Sequence, residues 1–252
     1  QVMGVPYIDY KFEYPPVIAC IFYSTRAVSL RVSVWTGVER SEIFYYVLAL
    51  MFLLPTYLLY LRATRDTSRF LGTHWSRLAL AVAGFGIAYY VVYNFDIIAV
   101  AFAMLSLVLL IKGKERSAGL LLGLSVASKI ITGVILFPAL LYSIRKGLRS
   151  AEGFLVSFSL AIAASFGPLL VFAPKGLQEM LQWHATWYCE NCFYVMIVND
   201  LWDSTWRLVS QVLMIAVPLG VMFVTRHADD NVELISRSLL MIPAAISVSY
   251  VY

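Results

Sequence analysis

The chain has 252 residues, of which 61% are hydrophobic and only 13% charged, and its mean hydropathy is +0.78. This composition excludes an ordinary soluble domain, and a net charge of +4 is too small to indicate a nucleic-acid-binding protein. Three cysteines are too few for a disulfide scaffold. Apolar runs of about 15 to 20 residues recur, close to the length that crosses a bilayer core. We therefore predict an all-α, polytopic transmembrane bundle of about eight to nine membrane segments, forming a single domain over residues 1–252.

The predicted elements are all helices separated by charged residues, glycine or proline. In chain order they are 15–31, 42–61, 77–93, 96–111, 117–130, 131–144, 152–173, 205–225 and 233–252. No tandem repeat and no linker divides them. Because the chain opens on Gln1 and closes within an apolar run, we expect it to be part of something longer.

Loop charges predict how the bundle is oriented. The arginine- and lysine-rich loops are expected in the cytoplasm by the positive-inside rule; they are 62–77, 112–116, 145–149 and 226–237. The opposite side then holds an acidic segment, 1–14, and a long loop, 174–204, with an amphipathic helix over Gly176–Tyr188. Segment 15–31 would have to be interfacial or re-entrant, unless 1–14 is cytoplasmic instead. These features predict a multi-pass integral membrane protein, expected in the plasma membrane.

Two carboxylates, Asp9 and Glu13, lie among aromatic residues directly before a helix that starts near Pro15. A charge at a membrane boundary is costly unless it has a partner or a task. Either carboxylate fits a general base toward a sugar hydroxyl, or a ligand of a divalent cation, Mg²⁺ or Mn²⁺. The structural alternative is that the acids pair with nearby lysine or arginine side chains.

Polar or charged residues also lie at two predicted helix ends on the same side of the membrane. Asn94 and Asp96 form a turn between apolar helices, where they either cap the turn or face the same outer cleft as Glu13. Lys129 follows a stretch of small residues, and its cation requires an anion, such as the phosphate of a lipid carrier. The alternatives for Lys129 are a lysine that reaches the head groups and a structural pair with Asp96.

The loop 174–204 is rich in side chains that recognise sugars. Aromatic faces stack on pyranose rings, while amide, imidazole and carboxylate groups bind hydroxyls. The candidates are His184, Trp187, Glu190 and Asn191, and an interfacial aromatic belt is the alternative. Cys189 and Cys192 lack the further ligands of a zinc site, so a local disulfide or two free thiols is expected.

The pattern G-x-P-Y-x-D-x-x-x-E-Y-P-P over residues 4–16 resembles the signature of integral-membrane glycosyltransferases of the GT-C superfamily. Weaker features follow in the same order: the N-x-D turn at 94–96, the glycine-rich helix before Lys129, and the H…E-N cluster of the outer loop. Two features of that superfamily are missing: an aspartate in an outer loop upstream of the Tyr-Pro-Pro segment, and an arginine within 184–190. The chain therefore resembles a fragment or a degenerate member.

The resemblance implies an inverting transfer of a hexose, usually mannose, from a polyprenyl-phosphate carrier to an acceptor on the outer face. It implies a catalytic role for Asp9 or Glu13, a supporting role for Asp96, and a phosphate contact for Lys129. The remaining expected substrate-binding residues are Tyr14, Asn94, His184, Trp187, Glu190 and Asn191. The expected partners are the lipid-linked donor, the bilayer and other subunits of a membrane complex. The alternative function is a non-catalytic accessory subunit that kept this fold.

Overall fold

The computed structural model describes residues 4–74, 95–186, 204–224 and 230–247, which form helices with short connections and no strand between them. The predicted all-α fold is confirmed. The helices are α1 (Pro16–Thr36), α2 (Arg40–Leu48), a π-helical turn (Ala49–Leu53), α3 (Leu54–Phe70), α4 (Asp96–Ile111), α5 (Glu115–Ser128), a 3₁₀ segment (Ile130–Ile135), α6 (Leu136–Lys146), α7 (Leu148–Phe172), α8 (Pro174–Thr186), α9 (Ser204–Val224) and α10 (Asp230–Ser247). The predicted helix 77–93 lies outside the described residues.

Three of the described helical runs are long and apolar enough to cross a membrane: 16–36, 40–70 and 148–172. Shorter apolar helices cover 96–111 and 208–224. A bundle of this kind satisfies its backbone hydrogen bonds within each helix, as a bilayer requires. The chain is thus a helical membrane protein.

The first two predicted helices differ most from the structure. Helix α1 runs unbroken from Pro16 to Thr36 and ends at Gly37, whose φ of 71° closes the last turn. A re-entrant segment here is wrong, because an unbroken helix cannot dip and return. Helix α3 continues to Phe70, so the predicted loop starting at residue 62 is also wrong. The apolar run stops near residue 61, but the polar residues that follow still propagate the helix beyond it.

Other predicted bounds shift by a few residues. Lys129 lies just past α5 in an extended conformation rather than inside a helix, and a 3₁₀ segment precedes α6. The predicted loop 145–149 shortens to Gly147, whose φ is 128°. Arg237, predicted in a loop, is buried inside α10. Its guanidinium pairs with Glu233 one turn earlier and donates to the Met222 carbonyl at 2.5 Å, which compensates its burial.

Helices α5 and α7 pack backbone to backbone. A Cβ added at Gly119 would lie 2.0 Å from the carbonyl oxygen of Phe154, and one at Gly123 would lie 2.5 Å from the Cβ of Ala161. Only glycine permits this approach, which is the use of a Gly-x-x-x-Gly pair in membrane helices. Ser106 and Ser125 donate hydrogen bonds of 2.7 Å to the carbonyls of Ala118 and Ala99, which join α4 to α5.

One end of the bundle gathers the basic loops, and we call it the basic end. Lys112, after α4, lies 2.5 Å from Asp66 near the end of α3, while the starts of both helices share an apolar cluster. Helices α3 and α4 therefore run in the same direction. Arg145 pairs with Asp230 at 3.2 Å and with Glu233 at 3.0 Å, which brings the start of α10 to the same end. The positive-inside rule predicts that this end faces the cytoplasm.

The opposite end, which we call the outer end, holds Asp96 at the start of α4 and Lys129 after α5. These helices have 16 and 14 residues, or about 24 and 21 Å at about 1.5 Å per residue. A hydrocarbon core is about 30 Å thick. Both helices are therefore shorter than a hydrocarbon core. With the charged connection 112–114 at one membrane surface, we expect Asp96 and Lys129 to lie below the opposite surface.

Candidate active site

The N-terminal segment folds into a tight turn before α1. Tyr7 adopts a φ of 67°, and its backbone N–H donates to the carbonyl of Tyr10 at 3.0 Å. Asp9 is exposed, and its carboxylate accepts a hydrogen bond of 2.6 Å from the N–H of Val5. This contact satisfies a backbone donor that the turn leaves open. Asp9 therefore shapes the turn.

Tyr7 fastens this segment to α8. Its side chain is buried, and its hydroxyl donates to the carbonyl of Tyr14 and lies 4.0 Å from the sulfur of Met180. Gly176 lets α8 come close, because a Cβ there would lie 2.2 Å from the carbonyl oxygen of Tyr7. Burial raises the pKa of the Tyr7 phenol well above its usual range, so the hydroxyl stays protonated as a donor.

An aromatic cluster links the segment to the starts of α1 and α4. The ring of Tyr14 meets Phe95 edge to face, with centroids 4.7 Å apart, and Phe22 packs on Phe95 at 5.2 Å. Phe12 adds edge contacts to Tyr14 and Phe22 at 5.8 and 6.0 Å. Such pairs favour one relative orientation. Glu13 and Asp96, which neighbour these rings in the chain, are thereby held at the same end.

Tyr14 connects the two acids. Burial raises the pKa of its phenol to about 12, and the negative charge of Glu13, a hydrogen bond to Glu13 and the charge of Asp96 act in the same direction. At neutral pH the phenol is therefore protonated and donates to the Glu13 carboxylate. The sequence predicted Tyr14 as a substrate-binding residue; the structure places it between two predicted catalytic acids.

Asp96 and Lys129 form a close ion pair, with Oδ2 and Nζ 2.5 Å apart. The side chains are only 24% and 27% exposed. Lys129 is fixed by its backbone N–H, which donates to the carbonyl of Ser125 at 2.9 Å and ends α5. Two largely buried charges stabilise each other, since either one alone would be costly there.

A cavity of about 550 Å³ lies between the N-terminal segment and one face of α8. Small-molecule sites occupy roughly 300 to 1,000 Å³. Its lining residues are Lys11, Phe12, Glu13 and Tyr14 from the segment, and Glu179, Met180, Gln182 and Trp183 from α8. The cavity thus combines two carboxylates, one ammonium, an amide and aromatic rings, a set suited to a polyol ligand.

Glycosyltransferase family 87 matches the chain over residues 12–248, which is nearly its full length. The chain belongs to this family. No curated protein and no solved structure matches it. Family membership and the helical fold together establish a membrane glycosyltransferase. The resemblance noted in the sequence predicted the same general activity, the transfer of a glycosyl group.

The predicted site residues of this family 87 member fall into three groups. Glu13 and Tyr14 line the cavity, Asp96 and Lys129 pair with each other near Tyr14 but do not line it, and Asp9 lies in the turn outside the lining. His184 lies on the last turn of α8, where the structure describes the helix but not the side chains. The rest lie outside the described residues: Asn94, Trp187, Glu190 and Asn191, as well as Cys189 and Cys192.

Sequence reasoning missed Lys11 and Glu179 as lining residues of the family 87 cavity. Lys11 is two residues from Glu13 in a stretch outside any helix, and both side chains line the cavity. Glu179, Gln182 and Trp183 follow a spacing of three and four residues, which places them on one helix face. Both spacings were available in the sequence, but only the contact with Tyr7 shows which face of α8 turns toward the segment.

From the sequence, Asp9 and Glu13 suggested a divalent cation as cofactor. Among the described residues, no group of three or more histidine, cysteine, aspartate or glutamate side chains converges. Of the lining residues that the structure describes, the carboxylates are Glu13 and Glu179. These residues do not provide the oxygen ligands with which Mg²⁺ or Mn²⁺ is usually held, so the chemistry below is derived without a metal.

Proposed function

We propose that this family 87 protein transfers a hexose, mannose or a similar sugar, from a polyprenyl-phosphate carrier to an acceptor on the outer face of the membrane. The observation that carries the proposal is the outer-end cavity, which has Glu13 in its wall and Tyr14 linking it to the recessed Asp96–Lys129 pair. A lipid-linked sugar reaches such a site from the bilayer, while a polar acceptor enters from the outer aqueous side.

Glu13 is the proposed general base. Its carboxylate takes the proton of the acceptor hydroxyl as that oxygen bonds to the anomeric carbon of the donor sugar. The bond from this carbon to the phosphate oxygen breaks on the opposite face, and its electron pair leaves with the phosphate. The products are the glycosylated acceptor, with inverted anomeric configuration, and the polyprenyl phosphate. Glu13 then releases its proton to water.

The leaving phosphate gains negative charge and needs a cation beside it. Lys129 was the predicted contact, but it is already paired with Asp96 and presents no net charge. Lys11 lines the cavity beside Glu13 and forms no ion pair with a described residue. We therefore assign the main phosphate contact to Lys11, and to Lys129 a second contact from the membrane side.

A non-catalytic accessory subunit remains the second candidate. The observation that favours it is the Asp96–Lys129 pair itself, which satisfies both charges without a ligand, as a structural pair does. The two candidates make opposite predictions for Glu13, since an accessory subunit has no use for a base in its cavity.

The test is sugar transfer by purified protein in lipid nanodiscs, with radiolabelled polyprenyl-phosphate mannose and a panel of saccharide acceptors. Glu13→Gln should lower turnover by about 10²-fold or more, because it removes the base and keeps the shape. Lys11→Gln should also lower turnover, and Lys129→Ala should lower it less. Lys175→Gln is the matched control, since Lys175 is exposed on α8 and does not line the cavity.

Each variant must first show an unchanged melting temperature. Full turnover in a folded Glu13→Gln variant would eliminate the assignment of the base. Absence of transfer by the wild type with every polyprenyl-phosphate sugar, together with stable co-purifying subunits, would favour the accessory role.

A further inference from the structure

The side chains that α8 contributes to the cavity have no role in the donor binding and proton transfer proposed above. Glu179, Gln182 and Trp183 occupy one face of α8 and line the cavity opposite Lys11 and Glu13. The Trp183 side chain is 49% exposed although it belongs to the packed outer end. A carboxylate, an amide and an indole on one helix face offer hydrogen bonds to hydroxyls and an apolar surface to a sugar ring.

We infer that this wall is the acceptor subsite, and that it takes the uncharged saccharide end of the acceptor. The inference rests on the proposed function and adds the chemical class of the acceptor. A sugar ring would lie on the Trp183 indole, with its hydroxyls donating to Glu179 and bonding to Gln182. The hydroxyl to be glycosylated would then point across the cavity to Glu13.

Charge selects against anionic acceptors. Among the described residues, the lining carries Glu13 and Glu179 and one cation, Lys11, which the leaving phosphate would occupy. A uronic acid or a phosphate on the acceptor would meet Glu179 at close range in a partly desolvated cavity, where like charges repel strongly. A neutral hexose instead satisfies the carboxylate with hydroxyl donors.

The position of the wall is fixed rather than adaptable. Met180 is buried against Tyr7, and Gly176 admits the Tyr7 backbone one turn before Glu179. The distance between the acceptor wall and Glu13 is therefore set by a packed contact, as a transfer reaction requires of its two reactants.

The test measures saccharide binding directly, so that it does not depend on turnover. Saturation-transfer NMR on nanodisc-embedded protein would use methyl α-mannobioside, and the matched pair of methyl glucoside and methyl glucuronide, which differ by one carboxylate. Wild type should bind the neutral sugars, and the glucuronide should bind about tenfold more weakly. Trp183→Ala should weaken mannobioside binding about tenfold, with partial recovery in Trp183→Phe.

Glu179→Gln should weaken the neutral sugars and reduce the discrimination against the glucuronide. The controls are Leu181→Ala and Gln178→Ala, because both residues are exposed on α8 and neither lines the cavity. In transfer assays the Glu179 and Trp183 variants should raise the KM for the acceptor by a larger factor than they lower kcat.

The outcomes separate this subsite from the proposed function. Sugar binding that depends on Trp183 and Glu179, without any transfer, would support the subsite and count against the polyprenyl-phosphate reaction. Unchanged binding in both variants, or tighter binding of the glucuronide than of the glucoside, would overturn the subsite. Transfer that continues with an unchanged acceptor KM in both variants would overturn it too.

Discussion

The basic end and the outer end of the bundle both join helices through ion pairs, but they do so in different surroundings. At the basic end, Lys112–Asp66 and Arg145–Asp230 connect helices at the water boundary. At the outer end, Asp96–Lys129 is largely buried and lies near Tyr14, which lines a cavity with further acids. Exposed pairs contribute little to stability, whereas a recessed pair controls the local charge. The same kind of ion pair therefore joins helices at one end of the molecule and sets the charge near a candidate site at the other.

The largest difference is expected between two matched substitutions. Asp96→Asn and Asp66→Asn each remove the acid from a lysine–aspartate pair whose charged atoms are 2.5 Å apart. Asp96→Asn should lower turnover about tenfold or more, because Lys129 loses the carboxylate that fixes its ammonium in position for the second phosphate contact. Asp66→Asn should leave turnover within about twofold, because its partner Lys112 is 43% exposed and water solvates it. Equal losses in the transfer assay would show that the two ends do not differ as described.

A second comparison concerns stability. Gly119→Ala adds a Cβ against the α7 backbone, whereas Gly167→Ala, also within a helix of the bundle, adds one where no atom lies within 4 Å. Overpacking of this kind costs about 1 to 3 kcal/mol, so Gly119→Ala should lower the melting temperature clearly. Gly167→Ala should leave it unchanged or raise it slightly, because alanine favours helix. Similar melting temperatures for the two variants would contradict the close packing of α5 on α7.

A smaller effect is expected at high pH. The pKa of Tyr14 is raised from 10.0 to about 12 in the fold, so its contribution to stability is complete below pH 10. That contribution decreases as the pH rises through the interval up to about 12, because the unfolded chain loses the proton first. Tyr14→Phe should therefore show a shallower decline of stability above pH 10 than the wild type. Tyr10→Phe, at an exposed ring of the same segment, is the control, and an identical decline in both would contradict the linkage.

The smallest expected effect is that of metal removal. With Lys11 as the counter-charge, EDTA should change turnover by less than about twofold. A complete loss that Mg²⁺ or Mn²⁺ restores would return the divalent cation to the mechanism and would require ligands beyond those that converge in the described residues. The measurement is initial transfer rate after dialysis against chelator, with and without added metal.

Much of the fold could be predicted from local pattern, and the failures have local causes. Hydropathy located most helices, but it misplaced the end of α3, where the polar residues from Arg62 to Phe70 extend the helix past the apolar run. It also placed Lys129 inside a helix, because small residues continue up to it. The motif gave Asp9 and Glu13 as equal candidates. In the structure Glu13 lines the cavity, whereas Asp9 accepts a backbone hydrogen bond in a turn.

The amino-acid sequence by itself determined the membrane class, the helical fold, the charge asymmetry between the two ends and the acidic motif, because these depend on composition and on spacing of a few residues. Only the tertiary structure decided that Lys129 pairs with Asp96, that Tyr14 joins Asp96 to Glu13, and that α8 supplies the second wall. These facts depend on contacts between segments up to 173 residues apart, such as Tyr7 with Met180. Local periodicity shows which residues share a helix face, but long-range packing decides what that face meets.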